Sequence, residues 1–136
     1  MPRIIGIDYG IKRCGISVTD PDQIIVNPLT VIETNKLFEY LDNYLKTENV
    51  EKIVIGIAHH KDGNEVYFEN DIKLFINKIK QSFPQIVIDR QNEDFTSQQA
   101  FDILIVSGTK KSKRKDKSLI DKISAVLILQ KYLNHI

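Results

Sequence analysis

The sequence predicts an α/β domain built on a mixed sheet of five strands, three antiparallel and then two parallel, with helices on its faces. Two observations carry this expectation. The first 32 residues hold three β-branched runs separated only by turn signals, and after them apolar periodicity alternates between helical and strand spacing. At 136 residues, with 42% hydrophobic and 27% charged, the chain can bury one core but not two. Residues 1–136 are therefore expected to form a single domain.

The elements follow in order. Runs at 3–8, 14–19 and about 25–32 are divided by Tyr9-Gly10-Ile11-Lys12 and by Asp20-Pro21-Asp22, which makes them an antiparallel meander. Leu37, Leu41, Tyr44 and Leu45 recur at helical spacing over 36–46, and "KIVIGI" at 52–57 reads as a buried strand. Phe68, Ile72, Phe75, Ile76 and Ile79 mark a second amphipathic helix, and "QIVID" after Pro84 a further strand. Thr96-Ser97-Gln98-Gln99 offers a capping box for a helix over roughly 97–107, and Ser118 a cap for a last helix to about 134. Because Ile123 to Leu129 is almost wholly apolar, that helix should be covered on more than one side. Three antiparallel strands followed by helical crossovers are the element order of the ribonuclease H-like fold.

Composition narrows the function classes. The N-terminus lacks the long apolar stretch that export or membrane insertion requires, so a cytoplasmic protein without a membrane partner is expected. Cys14 is the one cysteine, cannot form an intramolecular disulfide, and reads as a small buried hydrophobe. A net charge of +1 conceals a concentrated basic run in "TKKSKRKDKS", where Lys110, Lys111, Lys113, Arg114, Lys115 and Lys117 stand together. Such a run is either a solvated loop or a surface for a polyanion, whose counterions it would release.

Three acids stand out. Asp8 ends the first strand, near the centre of such a sheet, where a carboxylate is costly unless its charge is offset. Glu93 follows the last strand in "RQNEDFTS", and Asp121 lies near the start of the last helix, on a face with Ser124, Ala125 and Ile128. Small residues on that face would let the helix approach the sheet and carry its aspartate toward Asp8. Converging carboxylates suit Mg²⁺ or Mn²⁺, which prefer hard oxygen donors, and such ions support phosphodiester cleavage. Two of the acids also have a plainer reading: Asp121 closes a capping box with Ser118, and Glu93 is a solvated loop residue, whereas Asp8 on a central strand is not at a usual solvated position. His59-His60 is better read as polar loop than as metal ligands, because adjacent side chains diverge. Most aromatics fall in helical core patterns, leaving Tyr9, beside Asp8, as the one expected near a substrate.

Four segments, "GIDYGIKRCGISVTD", "IVIGIAHHKDGNE", "NEDFTSQQA" and "KRKDKSLIDKISAVLILQKYL", run in order along nearly the whole chain. Together they resemble the YqgF/RuvX family, whose members are described both as Holliday junction resolvase-like proteins and as pre-16S ribosomal RNA nucleases. The resemblance implies a ribonuclease H-type nuclease whose metal-holding, catalytic acids are Asp8, Glu93 and Asp121. It also matches Gly10, Lys12 and Arg13, with Gly10 allowing close approach of substrate and the two cations meeting phosphates. The plain alternative is a hairpin with a solvated basic tip.

The chain departs from the family at two points. Asn92-Glu93-Asp94 stands where Asp-Glu-Arg is usual, so a neighbouring cation has become an anion. Gly56-Ile57-Ala58 replaces Gly-Leu-Pro. The expectation is a Mg²⁺- or Mn²⁺-dependent endonuclease on structured nucleic acid, with precursor 16S rRNA as the substrate that the resemblance implies. Lys12, Arg13 and the basic run, with Lys110, Lys111, Lys113, Arg114 and Lys115, would engage phosphates without reading bases. Branched DNA cut by a symmetric dimer, and binding without catalysis, are the alternatives. Monomer and homodimer both remain open.

Overall fold

The computed structural model describes residues 2–57, 69–92, 99, 100, 102, 103 and 117–135. Strands β1 (Arg3–Asp8), β2 (Arg13–Thr19) and β3 (Val26–Glu33) lead through a 3₁₀ turn (Thr34–Lys36) into helix α1 (Leu37–Thr47). Strand β4 (Val50–Ile57), helix α2 (Glu69–Ser82), strand β5 (Val87–Asn92) and helix α3 (Lys117–Tyr132) follow. The strands form one five-stranded sheet in the order β3-β2-β1-β4-β5. β1 pairs antiparallel with β2 and parallel with β4, and β4 pairs parallel with β5. This is the mixed sheet expected from the meander and its crossovers.

Strand alternation divides the core into two layers. Ile5, Ile7, Cys14, Ile16, Ile53 and Ile55 face α1 and α2, whose Leu37, Leu41, Ile72, Phe75 and Ile79 close over them. On the other face Ile4 and Val54 meet Ile128 and Leu129 of α3. Asp8 is in phase with Ile4 and Gly6, so the alternation turns it to the α3 side. That helix lies close because the sheet beneath it is shaved: a Cβ on Gly6 would come within 2.5 Å of Leu129 Cγ and 2.6 Å of Ser17 Oγ. Ser17 in turn donates to the Ala125 carbonyl at 2.7 Å. At the far end Lys52 Nζ donates to the Tyr132 hydroxyl at 2.8 Å, and that hydroxyl donates to Asp89.

Three boundaries differ from expectation. β5 runs to Asn92 rather than stopping at Asp89, because Gly56↔Gln91 and Ile57↔Asn92 continue the ladder through polar residues. α3 starts at Lys117, so Ser118 lies inside its first turn instead of capping it. It ends at Tyr132 rather than near 134, since Asn134 turns left-handed (φ 61°) and the His135 amide bonds back to the Gln130 carbonyl at 2.8 Å. That is a Schellman stop, which asparagine tolerates. Of the helix expected over 97–107, the described residues Gln99, Ala100, Asp102 and Ile103 are helical. No helix among the described residues is long and apolar enough to cross a membrane.

Candidate active site

Asp8 and Asp121, from opposite ends of the chain, both have their backbones beside Gly15. Asp8 is the register partner of Gly15 on β2. Directly over Gly15 lies the first stretch of α3, so near that a Cβ there would overlap the Asp121 carbonyl oxygen. One strand spacing plus that contact places the Asp121 backbone within about 9 Å of the Asp8 Cα. Reaching across the same gap, Arg13 Nε donates to Asp121 Oδ2 at 2.6 Å. The pair is about a quarter exposed, with side-chain accessibilities of 30% and 23%.

Arg13 can do this because it shares the phase of Gly15 and Ser17 and so faces α3. A guanidinium thus already balances one of the expected acids. Asp121 is the fifth residue of its helix, and its carboxylate reaches the hairpin.

Lys12 is exposed at the hairpin tip. Gly10 is held from the other side: its carbonyl accepts from Thr34 Oγ1 at 2.7 Å, and a Cβ on it would overlap the Arg13 carbonyl oxygen. Tyr9 points away from Asp8, opposite in strand phase, and packs on Phe75 with ring centroids 6.1 Å apart. It belongs to the α1/α2 core, and its expected place near the substrate is corrected accordingly. Glu93, Asp94, the histidine pair at 59 and 60, and Lys110, Lys111, Lys113, Arg114 and Lys115 lie outside the described residues. Glu93 follows Asn92, the last residue of β5, in sequence. Asp8 and Gln91 stand level across β1, β4 and β5, since Ile7 pairs with Ile55 and Gly56 with Gln91.

Behind Asp8 lies Cys14, fully buried on the opposite face. Burial pushes its thiol up from 9.0 to about 11, against the lowering effect of its hydrogen bonds with the Thr34 hydroxyl and to the Gly10 carbonyl, and both Asp8 and Asp121 add to the rise. A neutral thiol suits its core position.

Sequence reading missed a second arginine. Arg90 Nε donates to the Ile55 carbonyl at 3.1 Å and Nη2 to the Gly56 carbonyl at 2.8 Å. The same guanidinium forks onto both carboxylate oxygens of Glu69, whose side chain is 5% exposed. Arg90 therefore ties the end of β4 and the start of α2 to β5, three residues before Glu93. The available signal was an arginine inside an otherwise strand-like run, opposite an acid opening a helix.

The RuvX family model, described as Holliday junction resolvase, matches residues 2–135. A Flavobacterium psychrophilum protein named "Putative pre-16S rRNA nuclease" is 44% identical over 133 residues, covering 98% of this chain and 97% of its own. A Bacteroides fragilis protein of the same name is 43% identical over 135 residues, covering 98% and 96%. Among solved structures, T. thermophilus RuvC in complex with a Holliday junction substrate superposes with a TM-score of 0.59 at 15% identity, covering 98% of this chain and 96% of that one. The fowlpox virus Holliday junction resolvase gives 0.58 at 13%, covering 98% of both. At such identities the structural likeness speaks for the fold, the ribonuclease H-like arrangement expected from the element order. The family match and the relatives run the length of the chain and go further: this chain belongs to the RuvX family.

Proposed function

We propose that the chain is a divalent-metal-dependent endonuclease of the cytoplasm that hydrolyses phosphodiester bonds in structured RNA, with precursor 16S rRNA as its substrate. The placement of Asp8 and Asp121 beside Gly15 carries this reading. Both backbones lie against Gly15, so their carboxylates would reach a common region, and the Arg13 guanidinium on Asp121 supports positive charge being wanted there. Their hard oxygen donors fit Mg²⁺ or Mn²⁺. Asp8 and Asp121, with Glu93, would hold such ions, which when bound polarise the phosphate and activate water.

The remaining work falls to this chain's own groups. Lys12 and Arg13 bind the substrate backbone on the hairpin side, and the basic run from Lys110 to Lys115 adds sequence-independent attraction. Arg90 positions the strand end that leads to Glu93. RNA is favoured over branched DNA because the relatives that share over two-fifths of this sequence are named for rRNA, whereas the junction resolvases are similar only in fold.

The test is cleavage of a precursor 16S rRNA fragment with Mg²⁺ or Mn²⁺ by wild type and Asp8→Asn. Losing a ligand worth several kcal/mol should cut the rate at least about a hundredfold. Melting of the metal-free variant should be unchanged or raised, because a crowded anion has gone. Full activity in Asp8→Asn would defeat the proposal; so would a variant that loses activity only by unfolding. RNA binding by wild type with no cleavage under either metal would indicate a binding factor instead.

A further inference from the structure

A cleft of about 460 Å³ opens beside the hairpin, lined by Ile11, Lys12, Arg13, Glu33 and Asn35. Its size suits one nucleotide unit. The frame is stiff although the side chains are exposed. Arg13 and Glu33 are register partners on β2 and β3. The Thr34 amide donates to the Lys12 carbonyl at 3.0 Å, and its hydroxyl ties down Gly10. Through Arg13 the cleft adjoins Asp121.

We propose that this cleft is a ribose-reading subsite, in which Glu33 accepts from a 2′-hydroxyl and the Asn35 amide donates to it while Lys12 and Arg13 meet the adjoining phosphates. The inference deepens the RNA reading and rests on nucleic acid being the ligand. Its basis is the mixed chemistry of the lining. A site for phosphate alone would present donors only, and a carboxylate among them would repel the ligand. Glu33 is matched by a neutral hydroxyl donor placed beside phosphates, which is what ribose offers and deoxyribose lacks.

With DNA, Glu33 would gain no hydrogen bond from the sugar and would keep only its repulsion toward the adjoining phosphates. Among the described residues the ion-pair contact of Glu33 is to Lys36 at 3.9 Å, and both side chains are about two-thirds exposed. Such a pair is weak in water and yields readily. Ile11, 51% exposed, gives the sugar or base an apolar face that carries no sequence preference.

The test is equilibrium binding in EDTA, so that nothing is cut, of one labelled single-stranded sequence as RNA, as 2′-deoxy and as 2′-fluoro. The fluoro strand keeps an RNA-like sugar but cannot donate. Wild type should bind RNA about tenfold more tightly than either analogue, the value of one charge-assisted hydrogen bond. Glu33→Ala should erase the preference from both sides, weakening RNA and tightening the deoxy strand. Asn35→Ala should narrow it about threefold. Equal wild-type affinity for all three strands, no measurable binding, or a preference surviving Glu33→Ala would each overturn the proposal. The nuclease reading fails separately: RNA preference without metal-dependent cleavage sinks that reading alone, and cleavage without the preference sinks the subsite alone.

Discussion

Arg13 Nε and Asp121 Oδ2 stand 2.6 Å apart, joining the first hairpin to the last helix across 108 positions of sequence. The contact makes Arg13 a stand-in cation for the metal-free protein. Any ion that takes Asp121 must compete with it, and a released guanidinium is then available to phosphate.

Arg13→Ala should therefore lower the stability of the metal-free protein by about 1–2 kcal/mol, less than a fully buried pair because the side chains keep some solvent. Added Mg²⁺ should raise the melting temperature of the variant by more than that of wild type, since the ion no longer displaces a partner. Arg13→Lys should behave like the alanine variant, because an ammonium cannot reproduce the Nε geometry. Thermal melts with and without Mg²⁺ check all three. An equal metal response in wild type and variant would show that Arg13 and the ion do not compete.

Gly15 is the second element of the arrangement. Gly15→Ala places a methyl into the Asp121 carbonyl oxygen, and two backbone segments must part to admit it. Overpacking of this kind costs about 1–3 kcal/mol. The displaced helix carries Asp121 away from Asp8, so cleavage should fall further than stability alone explains. Comparing activity at a temperature where both proteins are fully folded separates the two effects.

How much of this was legible follows from the range of each signal. Alternation in "RIIGIDYG" shows which face each side chain takes, and it places Asp8 with Gly6 and against α3. Applied one residue further, the same rule turns Tyr9 into the opposite core, where its neighbour in sequence is not its neighbour in space. The end of β5 was hidden because Arg90-Gln91-Asn92 has no apolar pattern. Its strand character comes from the ladder to β4 and from the bonds of Arg90 to the Ile55 and Gly56 carbonyls, both long-range. The Arg13 contact to Asp121 has no local signature at all. What did show was the glycine in a strand interior two residues later, a common mark of close backbone approach.

Arg90 lends itself to a direct test. Glu69 is nearly buried, so Arg90→Leu leaves an uncompensated carboxylate and should cost about 3 kcal/mol or more. Glu69→Leu alone strands the guanidinium and should also destabilise. The double variant should recover much of the loss, because no unpaired charge remains. If Arg90 also positions the strand end before Glu93, the double variant will be stable yet cleave slowly. Urea unfolding of the four proteins closes the thermodynamic cycle, and a coupling near zero would rule out the clamp.

Cys14 links the site to alkaline stability. Its folded thiol keeps its proton up to about 11, whereas an ordinary thiol loses it near 9.0. Burial, the main cause, and the two aspartates both favour the neutral form. Because the folded pKa is the higher one, the unfolded chain releases its proton first, and stability falls as pH rises between those values. The contribution is complete below pH 9 and lost through about 11, amounting to about 2–3 kcal/mol. Cys14→Ala should show a shallower decline across that window, although it starts lower from the small cavity it leaves. Urea midpoints of both proteins taken from pH 8 to 11 measure the difference, and parallel curves would mean that the thiol ionises alike in both states. At neutral pH the same buried, protonated thiol should resist alkylation until the protein unfolds.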